Sequence, residues 1–363
     1  DEDDNAIIVC SMENLDPMGV HTGESIVVAP ALTLPDSAYQ KLRTSALKVV
    51  RSLGIVGGCN VQFAYNSRTE DYILIEVNPR VSRSSALASK ATGVPIARIA
   101  SMLSIGHKLH ELPNRVTGNT SAAFEPSIDY IVIKIPRWPF DKFKLADRTL
   151  GTQMKSTGET MAIGRSFEEA LMKGWRSIGQ GLGHPERIKW KKEKLEDKLR
   201  VPNDQRLAVI WNYLKRGNAS PRRIQRTSEL TGFHPFFIER IGDLVKIENR
   251  LEKVKKNIPK NILLKAKHNG FSDSHISYLT GKKEETIRNQ RKRMNITSSF
   301  LMVDTCAGEF EAKTPYFYST YSDQKSEYKI GKSIVILGSG PIRIGQGIEF
   351  DYSTVHGVQA ERK

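Results

Sequence analysis

Two neighbouring runs of the sequence carry side chains that could bind a metal ion. Glu76 and Asn78 are two residues apart, so an extended strand would point both side chains to the same face. Gln62, in the run before them, adds a third oxygen if the two runs pair in register as a hairpin. One carboxylate and two amide oxygens suit Mg²⁺, which takes few protein ligands and completes its shell with water and phosphate oxygens.

Spacing alone leaves a second interpretation open. An ordinary exposed face of a polar strand has the same pattern, and because such spacing is common, the pattern by itself favours that interpretation. Arg80 and Arg83 follow the second run closely, and their guanidinium groups could stabilise phosphate charge. Arg80 would share the face of Glu76 if the extended conformation continued through Pro79.

The elements that must position these residues follow from local patterns. Apolar residues at helical spacing predict a helix over 41–53, and Gly54 ends it. Strands are predicted over 60–65 and 72–78, and the polar residues between them have the right length for a hairpin loop. The chain up to about residue 179 is therefore predicted to be α/β.

Downstream of the second run, capping residues and proline mark further elements. Ser84 is predicted to cap a short Ala-rich helix that ends at Gly93. A strand is predicted over 130–135 and should end at Pro136. Ser166 is predicted to cap another helix, whose apolar side faces a core.

The positive charge of the chain is confined to one region. The 363 residues include 55 Lys and Arg against 40 Asp and Glu, a formal net charge of +15. Residues 186–293 hold 28 of the basic and 13 of the acidic residues, so the flanks sum to zero. Over 180–300 leucine and isoleucine recur at helical spacing without strand-like alternation, which predicts a separate α-helical domain.

The end of the chain returns to an α/β pattern. Residues 333–337 form a compact apolar run, and a glycine-rich turn over 338–347 follows it before a possible helix start near the terminus. A glycine-rich turn after a strand can cradle phosphate, but this one lacks the Lys-Ser/Thr end of a P-loop. A structural role is the favoured interpretation.

Several functional classes are disfavoured by composition. No apolar run approaches the roughly 20 residues that cross a bilayer, and no signal-peptide pattern opens the chain. Cys10, Cys59 and Cys306 are too few and too scattered for a disulfide framework or a zinc site. Reduced cytoplasmic thiols are therefore expected.

Long runs of the sequence resemble one family. The run Ile75-Glu-Val-Asn-Pro-Arg-Val-Ser-Arg-Ser-Ser looks like the metal-and-nucleotide end of an ATP-grasp domain, and more closely it resembles the large subunits of carbamoyl phosphate synthase. The resemblance covers most of the chain. The matching runs are 11–23, 60–64, 75–93, 124–130, 152–159, 303–310, 318–321 and 340–352.

The resemblance implies a duplicated enzyme. Its first half phosphorylates bicarbonate to carboxyphosphate, which ammonia converts to carbamate, and its second half phosphorylates carbamate. The implied fold is α/β plus all-α: the C-terminal part of the first ATP-grasp domain over 1–179, a helical oligomerisation domain over 180–330, and the first strand and turn of a Rossmann-like pre-ATP-grasp domain over 331–363.

The resemblance also implies roles for single residues. The residues implied to hold two ions, Mg²⁺ or Mn²⁺, are Gln62, Glu76 and Asn78. Those implied to contact ATP are Gly19, Val20, His21, Gln62 and Glu76. Those implied to lie by the carboxyphosphate and the carbamate path are Arg80 and Arg83, the candidate catalytic residues, and Ser84.

Partners follow from the same resemblance. It implies bicarbonate and ammonia or carbamate as substrates, a glutaminase small subunit, a homo-oligomer through the helical domain, a cytoplasmic location without a membrane, and a role in pyrimidine and arginine biosynthesis. Parts of the first ATP site are expected before Asp1, so this chain alone is predicted to lack synthase activity. A non-catalytic assembly module is the alternative.

The basic region permits one further alternative. Residues 270–293 have the outline of a helix, a glycine turn and a basic second helix, as in DNA-reading helix-turn-helix proteins. Phosphate contact by the second helix is physically possible. Acidic residues are interspersed and the family resemblance runs through this segment, so a solvated helix pair is favoured and nucleic-acid binding is not expected.

Overall fold

The computed structural model describes residues 1–178, 192–254, 256–306, 309–314, 316–327, 331, 334–336 and 349–362. The strands in these ranges are β1 (Glu13–Asn14), β2 (Val27–Ala29), β3 (Asn60–Tyr65), β4 (Tyr72–Asn78), β5 (Ile131–Arg137), β6 (Gly158–Gly164), β7 (Ser299–Met302) and β8 (Phe317–Thr320). The α-helices are α1 (Asp36–Ser52), α2 (Arg83–Thr92), α3 (Ile96–Ser104), α4 (Phe167–Ser177), α5 (Lys192–Arg200), α6 (Arg206–Arg216), α7 (Pro221–Thr231), α8 (Pro235–Glu252), α9 (Lys260–His268), α10 (Asp273–Thr280), α11 (Glu284–Arg293) and α12 (Glu349–Glu361).

The chain divides into two compact units. Unit 1 comprises Asp1–Glu13, Ala29–Ile131 and Met302–Tyr318. Unit 2 comprises Asn14–Val28, Val132–Leu301 and Ser319–Lys363. The mixed α/β class with a helical region is confirmed, whereas the domain boundaries at 179 and 330 stay a prediction. No helix in the described ranges is both long and apolar enough to cross a membrane.

Unit 1 contains the β3–β4 hairpin and helices α1 to α3. Both strands have the bounds that alternation predicted, and they pair antiparallel. The loop between them is closed by a hydrogen bond from the Asn66 amide to the Asp71 carbonyl at 2.9 Å. The predicted helix over 41–53 is also confirmed, although α1 begins earlier, at Asp36.

The cap of α2 differs from the prediction. Ser82, not Ser84, caps the helix, because the Ser82 side chain accepts from the Ser85 amide and Ser85 bonds back to Ser82. Three serines within four positions make the choice ambiguous in sequence, and this reciprocal capping box decides it. The helix ends as predicted at Gly93, whose φ of 73° is the left-handed conformation that glycine favours.

Unit 2 is built around a four-stranded sheet in the order β1-β2-β5-β6. Helix α4 packs against β6, and Ser166 caps it as predicted by accepting from the Glu169 amide at 3.1 Å. Strand β5 continues to Arg137, so the prediction that it ends at Pro136 is wrong. The Arg137 carbonyl still accepts from the Thr157 amide, which extends the pairing past the proline.

Helices α5 to α11 form the predicted helical region of unit 2. Helix α8 is central, since it packs against α6, α7, α9 and α10. Trp211 and Phe237 are among the largest side chains that are completely buried there. Their burial, with that of many leucines and isoleucines, gives the region a continuous apolar core.

The outline of helix, glycine turn and basic helix is confirmed in α10 and α11, with Gly281 between them at a φ of 68°. The Arg291 guanidinium is bound internally, because it donates to the Asp273 carboxylate at 3.0–3.2 Å and to the Ile296 carbonyl at 2.9 Å. One basic side chain of the second helix, for which phosphate contact was only a physical possibility, is therefore bound within the fold.

The last predicted elements have different outcomes. Residues 334–336 lie in no strand, and Ile334 and Val335 are 67% and 79% exposed, so the predicted strand over 333–337 is wrong where it is described. Among the described residues, no strand pairs with this run to complete its hydrogen bonds. The glycine-rich turn over 338–347 lies outside the described residues. The helix predicted near the terminus is α12.

Candidate active site

The hairpin of unit 1 brings the predicted metal ligands together. Gln62 lies directly opposite Glu76, and Asn60 lies opposite Asn78. The Gln62 amide nitrogen donates to Glu76 Oε2 at 3.2 Å and to Asn60 Oδ1 at 3.2 Å. The in-register pairing on which the third ligand depended is therefore confirmed.

A bulge next to these residues was not predicted. The register shifts between Gln62 and Phe63, because Gln62 pairs with Glu76 while Phe63 pairs with Leu74. Ile75 is the extra residue, and strict alternation between the two faces is interrupted there. Ile73, Leu74 and Ile75 are 64%, 41% and 52% exposed, so the middle of β4 is apolar and accessible in this unit.

The strand does not continue through Pro79. The Arg80 amide donates to the Asn78 carbonyl at 2.8 Å, which closes a tight turn around the proline. The condition under which Arg80 would share the face of Glu76 by alternation is therefore not met. Proline favours this outcome, because its ring fixes φ near the value that such a turn requires.

Arg83 is the first residue of α2, directly after the capping residue Ser82, and Ser84 follows it. Arg80 and Arg83 are exposed, whereas Ser84 is half-buried. No Asp or Glu in the described ranges forms an ion pair with either arginine. Both guanidinium groups are thus accessible to an anionic ligand from solvent.

The donor set on the hairpin fits a hard divalent cation. Glu76 is an exposed carboxylate, and the flanking side chains of Gln62 and Asn78 are half-buried amides. Oxygen donors of this kind suit Mg²⁺ or Mn²⁺, and an exposed carboxylate leaves room for the waters that such ions retain. Within the described residues, no group of three or more His, Cys, Asp or Glu side chains is placed to hold a metal.

Three of the residues implied to contact ATP, Gly19, Val20 and His21, lie in unit 2, in the loop between β1 and β2. Gly19 has a φ of 105°, which only glycine adopts readily. The His21 amide donates to the Gly151 carbonyl at 2.9 Å, and His21 Nδ1 accepts from the Gly23 amide at 2.9 Å. Since Nδ1 is an acceptor, the proton of the neutral ring lies on Nε2.

Val20 anchors the same loop through its side chain. It is buried in an apolar cluster with Trp138, Phe140 and Leu150. Gly19, by contrast, is exposed. The three consecutive residues therefore differ in environment. Gly19 is exposed, Val20 is packed in the apolar cluster, and the His21 imidazole is bonded to the Gly23 amide.

Two charged residues that support this loop were missed by sequence reasoning. Lys134 lies on β5, is 4% exposed, and donates to the carbonyls of Thr22, Gly23 and Ser25 at 2.9, 3.4 and 2.9 Å. A lysine inside the apolar run Ile131-Val-Ile-Lys-Ile was the available signal, because a buried ammonium group requires acceptors.

Glu24 is the second of these residues. It is 1% exposed and accepts from the Trp138 indole at 2.7 Å and from the Ser156 amide and hydroxyl at 2.9 and 2.6 Å. These bonds connect the loop to the segments that follow β5 and precede β6. No pattern in the local sequence indicated this role.

The chain matches three domains of one protein family. Residues 1–112 match the ATP binding domain of the carbamoyl-phosphate synthase L chain, residues 159–295 match the oligomerisation domain of the large chain, and residues 331–363 match the carbamoyl phosphate synthase preATP-grasp domain. It is 53% identical over 358 residues to the carbamoyl phosphate synthase large chain of Methanobrevibacter smithii, covering 98% of this chain and 33% of that protein.

The chain belongs to the carbamoyl phosphate synthase large-chain family. It is also 52% identical over 364 residues to the arginine-specific large chain of Bacillus subtilis, covering 99% of this chain and 35% of that protein. The large chain of Methanothrix thermoacetophila is 52% identical over 367 residues, with 100% of this chain and 33% of that protein covered. The chain thus spans about a third of the length of these relatives.

The ATP binding domain match covers the residues for which the resemblance implied a role. All residues from Gly19 to Arg83 that the resemblance singled out lie within the ATP binding domain match, 1–112. A solved pyruvate carboxylase from Rhizobium etli superposes with a TM-score of 0.34 at 15% identity, covering 73% of this chain and 27% of that one, a similarity too low to support an argument. Family membership therefore depends on the sequence matches.

Proposed function

We propose that this chain supplies the metal-holding hairpin and the nucleotide loop of the site that phosphorylates bicarbonate in a carbamoyl phosphate synthase large chain. The observation that carries the proposal is the direct pairing of Gln62 with Glu76 on a hairpin inside the ATP binding domain match. If Glu76 lay on an ordinary exposed strand face, no second oxygen donor would be needed directly opposite it, where Gln62 lies.

The chemistry assigns a role to each donor. Bound Mg²⁺ or Mn²⁺ would supply neutralisation of the charge between the β- and γ-phosphates of ATP. Glu76 would be the carboxylate shared by two ions, with Gln62 completing one set and Asn78 the other. Because hydration water is retained by such ions, the exposure of Glu76 is compatible with this role.

Arg80 and Arg83 would act on the transferring group. A bicarbonate oxygen attacks the γ-phosphorus in line, the bond to the β,γ-bridging oxygen breaks, and carboxyphosphate and ADP result. Exposed guanidinium groups stabilise the charge on the phosphoryl oxygens and on carboxyphosphate, and Ser84 lies beside them. Positioning and electrostatics suffice for this step, so no covalent nucleophile is required.

Gly19, Val20 and His21 would bind the nucleotide. The anchored Val20 and the hydrogen-bonded His21 present a loop of fixed shape, which reduces the entropy lost when ATP binds. Lys134 would hold this loop through its carbonyls without touching the nucleotide.

The wider activity is part of the same proposal. Residues 1–179 would be the C-terminal part of the first ATP-grasp domain, 180–330 a helical oligomerisation domain and 331–363 the start of a Rossmann-like pre-ATP-grasp domain. Ammonia from a glutaminase small subunit would convert carboxyphosphate to carbamate for a second phosphorylation, in cytoplasmic arginine and pyrimidine biosynthesis. The oligomerisation domain match over 159–295 supports self-association, and a strict monomer in sedimentation at all concentrations would contradict it.

The metal role is tested in a hybrid enzyme. The matching third of the Bacillus subtilis relative, which is 52% identical, is replaced by this chain, and bicarbonate-dependent release of ADP is measured. We expect Glu76→Gln to lower kcat by about 100-fold or more, because a transition-state charge clamp is lost. The requirement for Mg²⁺ should rise in Gln62→Leu and in Asn78→Leu.

Glu70→Gln is the matched control. Glu70 is also an exposed carboxylate of the hairpin, in the loop between β3 and β4, and it is absent from the proposed ligand set. It should leave kcat and the Mg²⁺ requirement unchanged. A Glu76→Gln hybrid as active as its parent would refute the metal role.

A further inference from the structure

The loop of unit 2 that carries Gly19, Val20 and His21 is closed at its base. The Leu15 amide donates to the Ile26 carbonyl at 2.9 Å, the Asp16 amide donates to Ser25 Oγ at 3.1 Å, and Ser25 Oγ donates to Asp16 Oδ2 at 3.0 Å. These bonds to Ser25 hold the Asp16 carboxylate in place at the base of the loop.

A single arginine of the helical region binds that carboxylate. Arg206, the first residue of α6, donates from Nη1 to Asp16 Oδ1, and both side chains are 6% exposed. Its Nη2 donates to the carbonyls of Thr231 and, at 3.5 Å, Leu199, which lie at the C-terminal ends of α7 and α5. The negative ends of two helix dipoles thus share this cation with Asp16.

A close backbone contact accompanies the ion pair. Gly232 caps α7 with a φ of 74°, and a Cβ built on it would lie 2.8 Å from Pro17 Cγ. Only glycine permits this approach. The loop therefore contacts the helical region at two places. Asp16 pairs with Arg206, and Pro17 packs against Gly232.

Burial makes the pair sensitive to the loss of either partner. Burial raises the pKa of the Asp16 carboxyl, while the adjacent Arg206 cation opposes that rise. Burial likewise lowers the pKa of the Arg206 guanidinium. Removing one member leaves the other charge uncompensated in a buried position, which is far more costly than losing a surface pair.

We propose that Arg206 is a positioning residue for ATP: through Asp16 it fixes the nucleotide loop, so the affinity of the first site for ATP depends on the helical region. The inference rests on the proposed function, because it assumes that the loop between β1 and β2 binds ATP. Arg206 itself touches no nucleotide in this scheme. Its effect is transmitted by the conformation of the loop over 16–25.

Hydrogen exchange of this chain tests the structural half of the proposal. In Arg206→Met, peptides that cover 14–28 should exchange about 10-fold faster or more, while peptides of α8 keep their protection. Arg206→Lys should give an intermediate value, because it retains the charge beside Asp16 but loses the fork that binds two helix ends. Unchanged exchange over 14–28 in Arg206→Met would overturn the proposal.

Two further variants distinguish a local effect on the loop from a general loss of stability. Arg222→Met removes an exposed arginine at the second position of α7 and should change neither set of peptides. If Arg206→Met also loses protection in α8, Asp16→Asn provides the second test, since it keeps the shape and removes the charge. Loop protection unchanged in Asp16→Asn would then overturn the proposal.

Kinetics of the hybrid enzyme test the functional half. Arg206→Lys should raise the KM for ATP by about 10-fold and leave kcat within about 2-fold, because a less ordered loop weakens binding before it alters chemistry. Equal losses in kcat at an unchanged KM would contradict the inference. A parent hybrid without bicarbonate-dependent ADP release would refute the proposed function instead, and the exchange experiment would still decide the role of Arg206.

Discussion

The loop of unit 2 between β1 and β2, proposed to contact the nucleotide, and the hairpin of unit 1, proposed to hold the metal, are built in opposite ways. The loop has a buried side chain at Val20 and a buried lysine, Lys134, beneath its carbonyls. The hairpin instead exposes Glu76 and bonds it to Gln62. Buried side chains thus hold the shape of the loop, while the carboxylate of the hairpin remains accessible to hydrated ions.

The largest expected effect on stability comes from removing the ammonium group of Lys134, which bonds the carbonyls of the loop. Lys134→Met should lower the free energy of unfolding by about 3 kcal/mol or more, because three carbonyls lose their donor in a buried position. Urea unfolding followed by tryptophan fluorescence measures it. The change would show that the shape of the loop depends on one buried charge.

Lys144→Met is the matched control for that variant, since Lys144 is exposed in the same unit. Its unfolding free energy should stay within about 0.5 kcal/mol of the parent. If both variants were equally stable, the contrast between a fixed loop and an exposed hairpin would fail.

An intermediate effect is expected from the apolar anchor of the loop. Val20→Ala should cost about 1.5 kcal/mol of unfolding free energy, because two methyl groups leave a cluster formed with Trp138, Phe140 and Leu150. Val81→Ala, at a position 43% exposed just after the hairpin, should cost less than about 0.5 kcal/mol. Equal costs in thermal unfolding would remove the distinction between the two regions.

The smallest effect on stability is expected at the hairpin. Glu76→Gln without divalent cation should change the unfolding free energy by less than about 0.5 kcal/mol, because the side chain is exposed and glutamine can still accept from Gln62. Chemical denaturation in a chelating buffer measures this. A loss well above 1 kcal/mol would mean that the carboxylate supports the fold itself.

The same contrast separates what sequence could predict from what it could not. The bounds of β3 and β4 follow from alternation and a polar loop, which are local properties. The bulge beside Gln62 depends on how the two strands twist together, so period-2 reasoning placed Glu76 correctly but missed Ile75. The choice of Ser82 over Ser84 as a cap was likewise decided by reciprocal hydrogen bonds.

Lys134 and Glu24, which hold the loop, could not be predicted from the local sequence for another reason. Lys134 reaches a carbonyl 112 residues earlier in the chain, and Glu24 reaches a serine 132 residues later. A sequence shows that such residues are charged, but their partners are known only once the sheet is assembled. Gly19, Val20 and His21 were therefore singled out by family resemblance alone, whereas Gln62 and Glu76 were also singled out by physical pattern.

Lys134 has a consequence for the chain before it folds. The segment Ile131-Val-Ile-Lys-Ile-Pro is rich in β-branched residues, and such segments associate between molecules when they are exposed as free strands. A charge at its centre and Pro136 at its end oppose that association. The lysine that bonds the loop in the folded protein is thus also expected to disfavour association of this segment before β5 pairs with its neighbours.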